Sequence, residues 1–204
     1  ACLPGPFLST VVLGGLPIAK WGTEQQKQSI LPKICKGEAI LTLALAEPSA
    51  RYEAASIQVK AKAEGDHYVI SGTKLFVPHA HVADFMLCVA RTDDRAAAEK
   101  GLTVFIVDAR SRGIRHTVLK TIADDKLCEV VFGRVRVPKE NILGKLNGGW
   151  EVVERMMQRA AVAKCCEMLG YAENELLGRN WFDMITPERH RDKAKAIFAG
   201  MISG

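Results

Sequence analysis

A chain of 204 residues with 48% hydrophobic content can bury a core in one domain or two small ones. The formal net charge is +5 with 25% charged residues, but the lysines and arginines form no long run. No basic stripe with interleaved aromatics marks a nucleic-acid surface, so nucleic-acid binding is excluded as a first reading.

The first apolar run, residues 7–18, holds Gly14 and Gly15 and is too short to span a bilayer. It reads as a buried helical piece over 8–20, weakened by its glycines, and no charged n-region with a cleavage site opens the chain. Thr23 followed by Gln26 forms a capping box, Ile30, Leu31 and Ile34 supply an apolar face, and Gly37 caps the end. Residues 21–38 are therefore expected to be helical, with Pro32 breaking or kinking them. From Ala39 the period changes to two. Ile57, Val59, Ala61 and Ala63 alternate with polar neighbours as a half-buried strand, Glu64, Gly65 and Asp66 turn it, and residues 67–77 return antiparallel. Further strands are expected at 82–91, 101–108, 114–119 and 129–137, separated by turn chemistry at Asp93-Asp94, Ser111-Arg112-Gly113 and Asp124-Asp125. Many short strands with regular turns indicate an α+β protein built on an antiparallel β-barrel or sandwich flanked by helices. Gly148-Gly149 precedes a long helix with Trp150, Val153, Met156, Met157, Ala160, Ala161 and Cys165 on its apolar face.

Six cysteines, at 2, 35, 88, 128, 165 and 166, make no C-x-x-C pair and no zinc spacing. Thiols of a reducing cytoplasm are the simple reading. No metal site is expected; His79 and His81 read as loop histidines without carboxylate or thiol partners in sequence.

The chain is organised around residues 41–53, LTLALAEPSARYE, and residues 72–78, GTKLFVP. The apolar run 41–46 reads as a buried strand stopped at Glu47-Pro48, with Ser49, Arg51 and Tyr52 placing polar groups on the loop beyond it. Phe76 ends the second strand before Pro78, which has no N–H for a ladder.

Taken together, A-E-P-S-A, the later G-T-K-L-F-V-P, the segment G-T-E-Q-Q-K before them and V-R-V-P-K-E-N-I-L-G at 135–144 resemble the acyl-CoA dehydrogenases, whose usual motifs are T-E-P-x-A-G-S-D and x-G-x-K-x-W-I-T. The resemblance implies that 1–38 end an N-terminal helical domain, 39–146 form the β-barrel middle domain and 147–170 begin the C-terminal helical domain. It also implies a flavoprotein oxidoreductase of fatty acid metabolism, with FAD as cofactor and an acyl-CoA thioester as substrate. An electron-transfer flavoprotein would be its partner, and the family homo-oligomerises. The modest positive charge suits an anionic cofactor or thioester. In such an enzyme a carboxylate removes the α-proton while the β-hydrogen passes as hydride to the flavin.

The match sets Leu43, Leu45 and Ala46 along the flavin edge, where main-chain groups pair with the ring, and Arg51 and Tyr52 toward the pyrophosphate. Phe76 falls at the family tryptophan, with Val77 beside it and Pro78 at the family threonine. Ala46 and Pro78 lack the usual hydroxyls; Arg51 is expected to compensate with a charge-assisted fork. Glu47 and Glu53 read as structural turn residues rather than bases. Arg155 and Arg159 read as a solvated or subunit-facing edge.

Residues 171–204, beginning Y-A-E-N-E-L-L-G-R-N-W-F-D, resemble the first helices of a PAS domain without room for its sheet; the alternative is a helical tail with chance similarity. The family's catalytic carboxylate lies in the C-terminal helical domain, and no residue here matches it, so the catalytic residue is unknown. Negligible dehydrogenase turnover is expected of this chain alone. The alternative function is a non-catalytic module derived from the same fold, binding a flavin, an acyl-CoA or a protein partner; a third reading is a fusion or truncation product with no settled function.

Overall fold

A computed structural model of the chain describes residues 5–122 and 125–168. The chain divides into two compact units, Pro4–Ala163 and a second made of Ala1–Leu3 with Lys164–Gly204; the architecture below is that of the first. The PAS-like stretch 171–204 lies outside the described residues.

The chain enters through a wide π-helical segment, Leu8–Gly15, that runs directly into α1, Leu16–Trp21. The two glycines do not interrupt it. Gly14 is needed for close approach, since a Cβ there would stand 2.5 Å from Leu41 Cβ. Thr10 completes the seam: its Oγ1 accepts from Leu41 N at 3.2 Å and donates to Leu41 O at 3.3 Å. Helix α2, Glu24–Cys35, carries the expected capping box, with Gln26 N donating to Thr23 Oγ1 at 3.2 Å and Thr23 N donating to Gln26 Oε1 at 3.0 Å. The helix continues through Pro32 rather than breaking there. It ends where Gly37, at φ +72°, turns left-handed and the amides of Gly37 and Glu38 bond back to Ile34 O and Lys33 O.

Eight strands follow: β1 Leu41–Ala44, β2 Lys60–Glu64, β3 His67–Pro78, β4 Phe85–Arg91, β5 Leu102–Asp108, β6 Ile114–Val118, β7 Leu127–Pro138 and β8 Ile142–Leu143. The hydrogen-bonded order is β6-β7-β3-β2-β4-β5-β8, with β1 also paired to β4. The pairing is antiparallel except for β1 and β2 against β4. The architecture is α+β, and its sheet stays open, with β6 and β8 at the two ends of the path, so sandwich describes it and closed barrel does not. β8 is too short to show a period of two in sequence. Conversely, Ile57 and Val59 are buried as the alternation implies, yet the ladder of β2 starts only at Lys60.

Two cores explain the alternation along the central strands. On β4, Leu87 and Val89 pack with Ile18, Ile30, Val152 and Met156 under the helices. Met86, Cys88 and Ala90 pack with Tyr68, Ile70, Val130 and Phe132 between the two halves of the sheet. A strand buried on both faces shows as a continuous apolar run, which is how residues 85–90 appear. Helix α3, Gly149–Met168, closes the helix-side core with Val152, Val153 and Met156, and Gly149 lets its first turn pass against Thr103, where a Cβ would meet the backbone at 2.9 Å. Among the described residues no helix is long and apolar enough to cross a membrane.

Candidate functional site

The two stretches singled out in the sequence are stitched together along the edge of β1. Leu75 N donates to Ala46 O at 2.9 Å, and Thr42 Oγ1 donates to Pro78 O at 2.5 Å. Between them lies a buried ion pair, Lys74 Nζ to Glu47 Oε1 at 2.7 Å, with side chains 0% and 4% exposed. Lys74 Nζ also donates to Leu45 O at 3.0 Å. The carboxylate of Glu47 accepts two main-chain amides as well, Gln58 N on Oε2 at 2.7 Å and Val59 N on Oε1 at 3.0 Å. This is why the ladder of β2 begins late: at Gln58 and Val59 a side-chain carboxylate takes the place of a neighbouring strand.

Burial pulls the Lys74 ammonium below the usual lysine range, against the raising influence of Cys88 and Glu47. Burial also pushes the Cys88 thiol up to about 12, so at neutral pH it is uncharged, and the partner that meets the lysine is the Glu47 carboxylate at 2.7 Å. Glu47 is thus a structural residue rather than a base, as the sequence implied. Lys74 was missed there, although the signal was present: Tyr68, Ile70 and Lys74 share a parity, and the first two face the core.

After Lys74 the pattern changes phase. Lys74 is paired with Val130 but Val77 with Cys128, so β3 carries one extra residue. A one-residue bulge exchanges the faces of everything beyond it. Val77 is accordingly fully buried, while Phe76, at φ +54°, turns outward and is 41% exposed. A non-glycine residue held in left-handed backbone stores strain, and such residues gather at functional sites. Ala50 and His79 share that conformation, at φ 54° and 55°.

The expected cofactor residues fall into two groups. Leu43, Leu45 and Val77 send their side chains into the cores, and Ala46 is 5% exposed, so these four can meet a ligand only through main-chain groups. The carbonyls of Leu45 and Ala46 already accept from Lys74 and Leu75, which leaves each one further lone pair. Pro78 is half-buried, its carbonyl held by Thr42. Arg51, Tyr52 and Phe76 are the three that present side chains to solvent. Among the described residues the Arg51 guanidinium meets only Glu53, in an exposed contact 3.7 Å from Nη1 to Oε1, which leaves it donors to spare.

Beyond Pro78, His79 N donates to Lys126 O at 2.8 Å, while its Nδ1 is buried without a hydrogen-bond partner among the described residues. Burial and the neighbouring His81 lower its pKa, with Asp125 opposing. His81 Nδ1 lies 3.7 Å from Cys128 Sγ, a thiol partner that the sequence, 47 residues apart, did not disclose. Among the described residues no three His, Cys, Asp or Glu side chains are grouped to hold a metal.

Residues 42–135 match the family model of the acyl-CoA dehydrogenase middle domain. The chain carries an acyl-CoA dehydrogenase middle domain. It is 35% identical over 162 residues to acyl-CoA dehydrogenase FadE29 of Mycobacterium tuberculosis, covering 78% of this chain and 41% of that relative. It is likewise 35% identical over 159 residues to the short-chain specific acyl-CoA dehydrogenase of Clostridium acetobutylicum, covering 76% of this chain and 42% of the relative. Among solved structures, butyryl-CoA dehydrogenase from Megasphaera elsdenii superposes with a TM-score of 0.77 at 28% identity, over 81% of this chain and 44% of that one. The electron transferring flavoprotein of Acidaminococcus fermentans gives 0.77 at 30% identity with the same coverage. The chain therefore spans less than half the length of these relatives.

Proposed function

We propose that this middle domain supplies one side of the flavin and thioester site of an FAD-dependent acyl-CoA dehydrogenase-type oxidoreductase, which desaturates the Cα–Cβ bond of an acyl-CoA. The observation that carries this reading is the bulge at Phe76: an aromatic ring turned to solvent from left-handed backbone, on a strand end tied to the Glu47 turn. Core packing gives no reason for that arrangement, whereas a planar ligand stacked on the ring does. The residues present fit a flavin. Phe76 offers a stacking face, and the main chain of Leu43, Leu45, Ala46 and Val77 with the Pro78 carbonyl offers an edge. Arg51 and Tyr52 are exposed donors for a phosphate-bearing tail. Hydride acceptance is the chemistry FAD supplies in such an enzyme. These residues bind and orient; the base that takes the α-proton has no counterpart in the motifs matched here, and turnover by this chain alone is expected to be negligible.

In this reading residues 1–38 close an N-terminal helical domain, 39–146 are the middle domain and 147–170 open a C-terminal helical domain. The family match at 42–135 falls inside the second of these. The named relatives support an acyl-CoA as the substrate class, and the flavoprotein among the structural neighbours supports an electron-transfer flavoprotein as partner. The test is the near-ultraviolet and visible spectrum of the purified chain after incubation with FAD and desalting. A flavin band of about one per chain is expected, with Phe76→Ala and Arg51→Ala each weakening binding about tenfold. A wild-type chain that retains no flavin, or variants with unchanged affinity, would overturn the assignment.

A further inference from the structure

We infer that the buried Lys74–Glu47 pair is the positioning device of this site: it sets where β3 leaves register with β7 and so turns Phe76 outward. The cofactor readout of this inference rests on the proposed function; its structural readout does not.

Stability alone does not account for the pair. A buried ion pair is often no more stabilising than apolar side chains of similar volume, because desolvating two charges offsets their attraction. Both cores around it are apolar and could have continued through positions 47 and 74. What the charges add is direction. Lys74 Nζ reaches Leu45 O at 3.0 Å and Glu47 Oε1 at 2.7 Å, and Glu47 holds Gln58 N and Val59 N. Three separate segments, 45–47, 58–59 and 74–75, are thereby fixed at one point, and the Leu75 N to Ala46 O bond follows immediately.

The consequence lies one residue further on. Lys74 is the last residue paired in phase with β7 before the bulge, at Lys74↔Val130. A slip that removed the extra residue would carry Phe76 to the buried face and Val77 to solvent. That slip would relieve the left-handed backbone at Phe76 and is therefore a real competitor to the observed register. It would also pull Leu75 N away from Ala46 O, because the segment beyond Lys74 would shift by one residue while Lys74 stays opposite Val130. By fixing Lys74 against Leu45 and Glu47, the ion pair brings Leu75 N onto Ala46 O, the bond that the competing register gives up.

The deciding comparison is between the wild-type chain and the double variant Lys74→Met/Glu47→Leu, with Lys74→Met alone as reference. Each is read by thermal unfolding, by amide hydrogen exchange at Leu75 and Val77, and by FAD titration. The single variant is expected to unfold at lower temperature, because it leaves the Glu47 carboxylate buried without its cation. The double variant is expected to recover the wild-type midpoint, to lose exchange protection at Leu75 and to bind FAD about tenfold more weakly. Recovered stability with wild-type exchange and wild-type affinity would overturn the inference. A double variant that does not fold would make the pair a folding determinant instead, and would overturn it too. A wild-type chain that binds no FAD would sink the proposed function alone, leaving the exchange data to decide this one.

Discussion

His79 shows how much one side chain can report. Its backbone is left-handed, its amide is tied to Lys126 O, and its Nδ1 is buried without a partner among the described residues. With its folded pKa below the ordinary value of 6.5, the unfolded chain takes up the proton first as pH falls. Stability attributable to His79 is therefore full above about pH 6.5 and declines as pH drops toward the folded pKa. His79→Asn, a residue that tolerates the left-handed region, removes that dependence. The fall in unfolding temperature between about pH 7 and pH 5.5 should be smaller in the variant, and an identical fall in both proteins would show that this histidine does not titrate as described. Phe76 makes the contrasting point. In sequence it sits in an alternating strand where an aromatic is ordinarily core, and only the bulge turns it outward.

At the scale of elements, α2 is more than a surface helix. Gln26 closes the capping box with its Oε1 while its Nε2 donates to Glu140 O at 2.7 Å and Ile142 O at 2.9 Å, tying the helix start to the entry of β8. The capping box was legible from Thr23 and Gln26 four positions deep in one segment. The tether was not, since its partners lie 114 and 116 residues away. The two roles separate by mutation. Thr23→Ala should cost about 1 kcal/mol, the usual worth of a lost cap. Gln26→Ala should cost about 2–3 kcal/mol, because it also leaves two main-chain carbonyls short of a donor. Equal losses in urea unfolding would mean that the tether contributes nothing.

Among the described residues the thiols are sorted by layer. Cys88 and Cys128 sit in the core between the two halves of the sheet, and Cys35 and Cys165 are exposed. Only thiolates react, and Cys88 is pushed up to about 12, so alkylation near neutral pH should label Cys35 and Cys165 promptly and Cys88 only at the rate of opening. Peptide mapping that finds Cys88 labelled as fast as Cys35 would contradict the two-core arrangement.

Local information sufficed wherever a neighbour in sequence is also the physical partner. The cap at Thr23, the left-handed stop at Gly37, the turn at Gly65 and the strands β3 to β7 were all readable from spacing within a dozen residues. The family motifs were readable as well, because they are contiguous runs. What needed the tertiary structure depends on distant partners. β8 exists only because β5 lies beside it, and the sheet stays open because β6 and β8 do not meet. The late start of β2 follows from a carboxylate eleven residues upstream of Gln58, and the outward turn of Phe76 from a bulge measured against β7. A period of two states which residues share a face; it cannot state where the count slips, because the slip is defined only by the strand across the ladder.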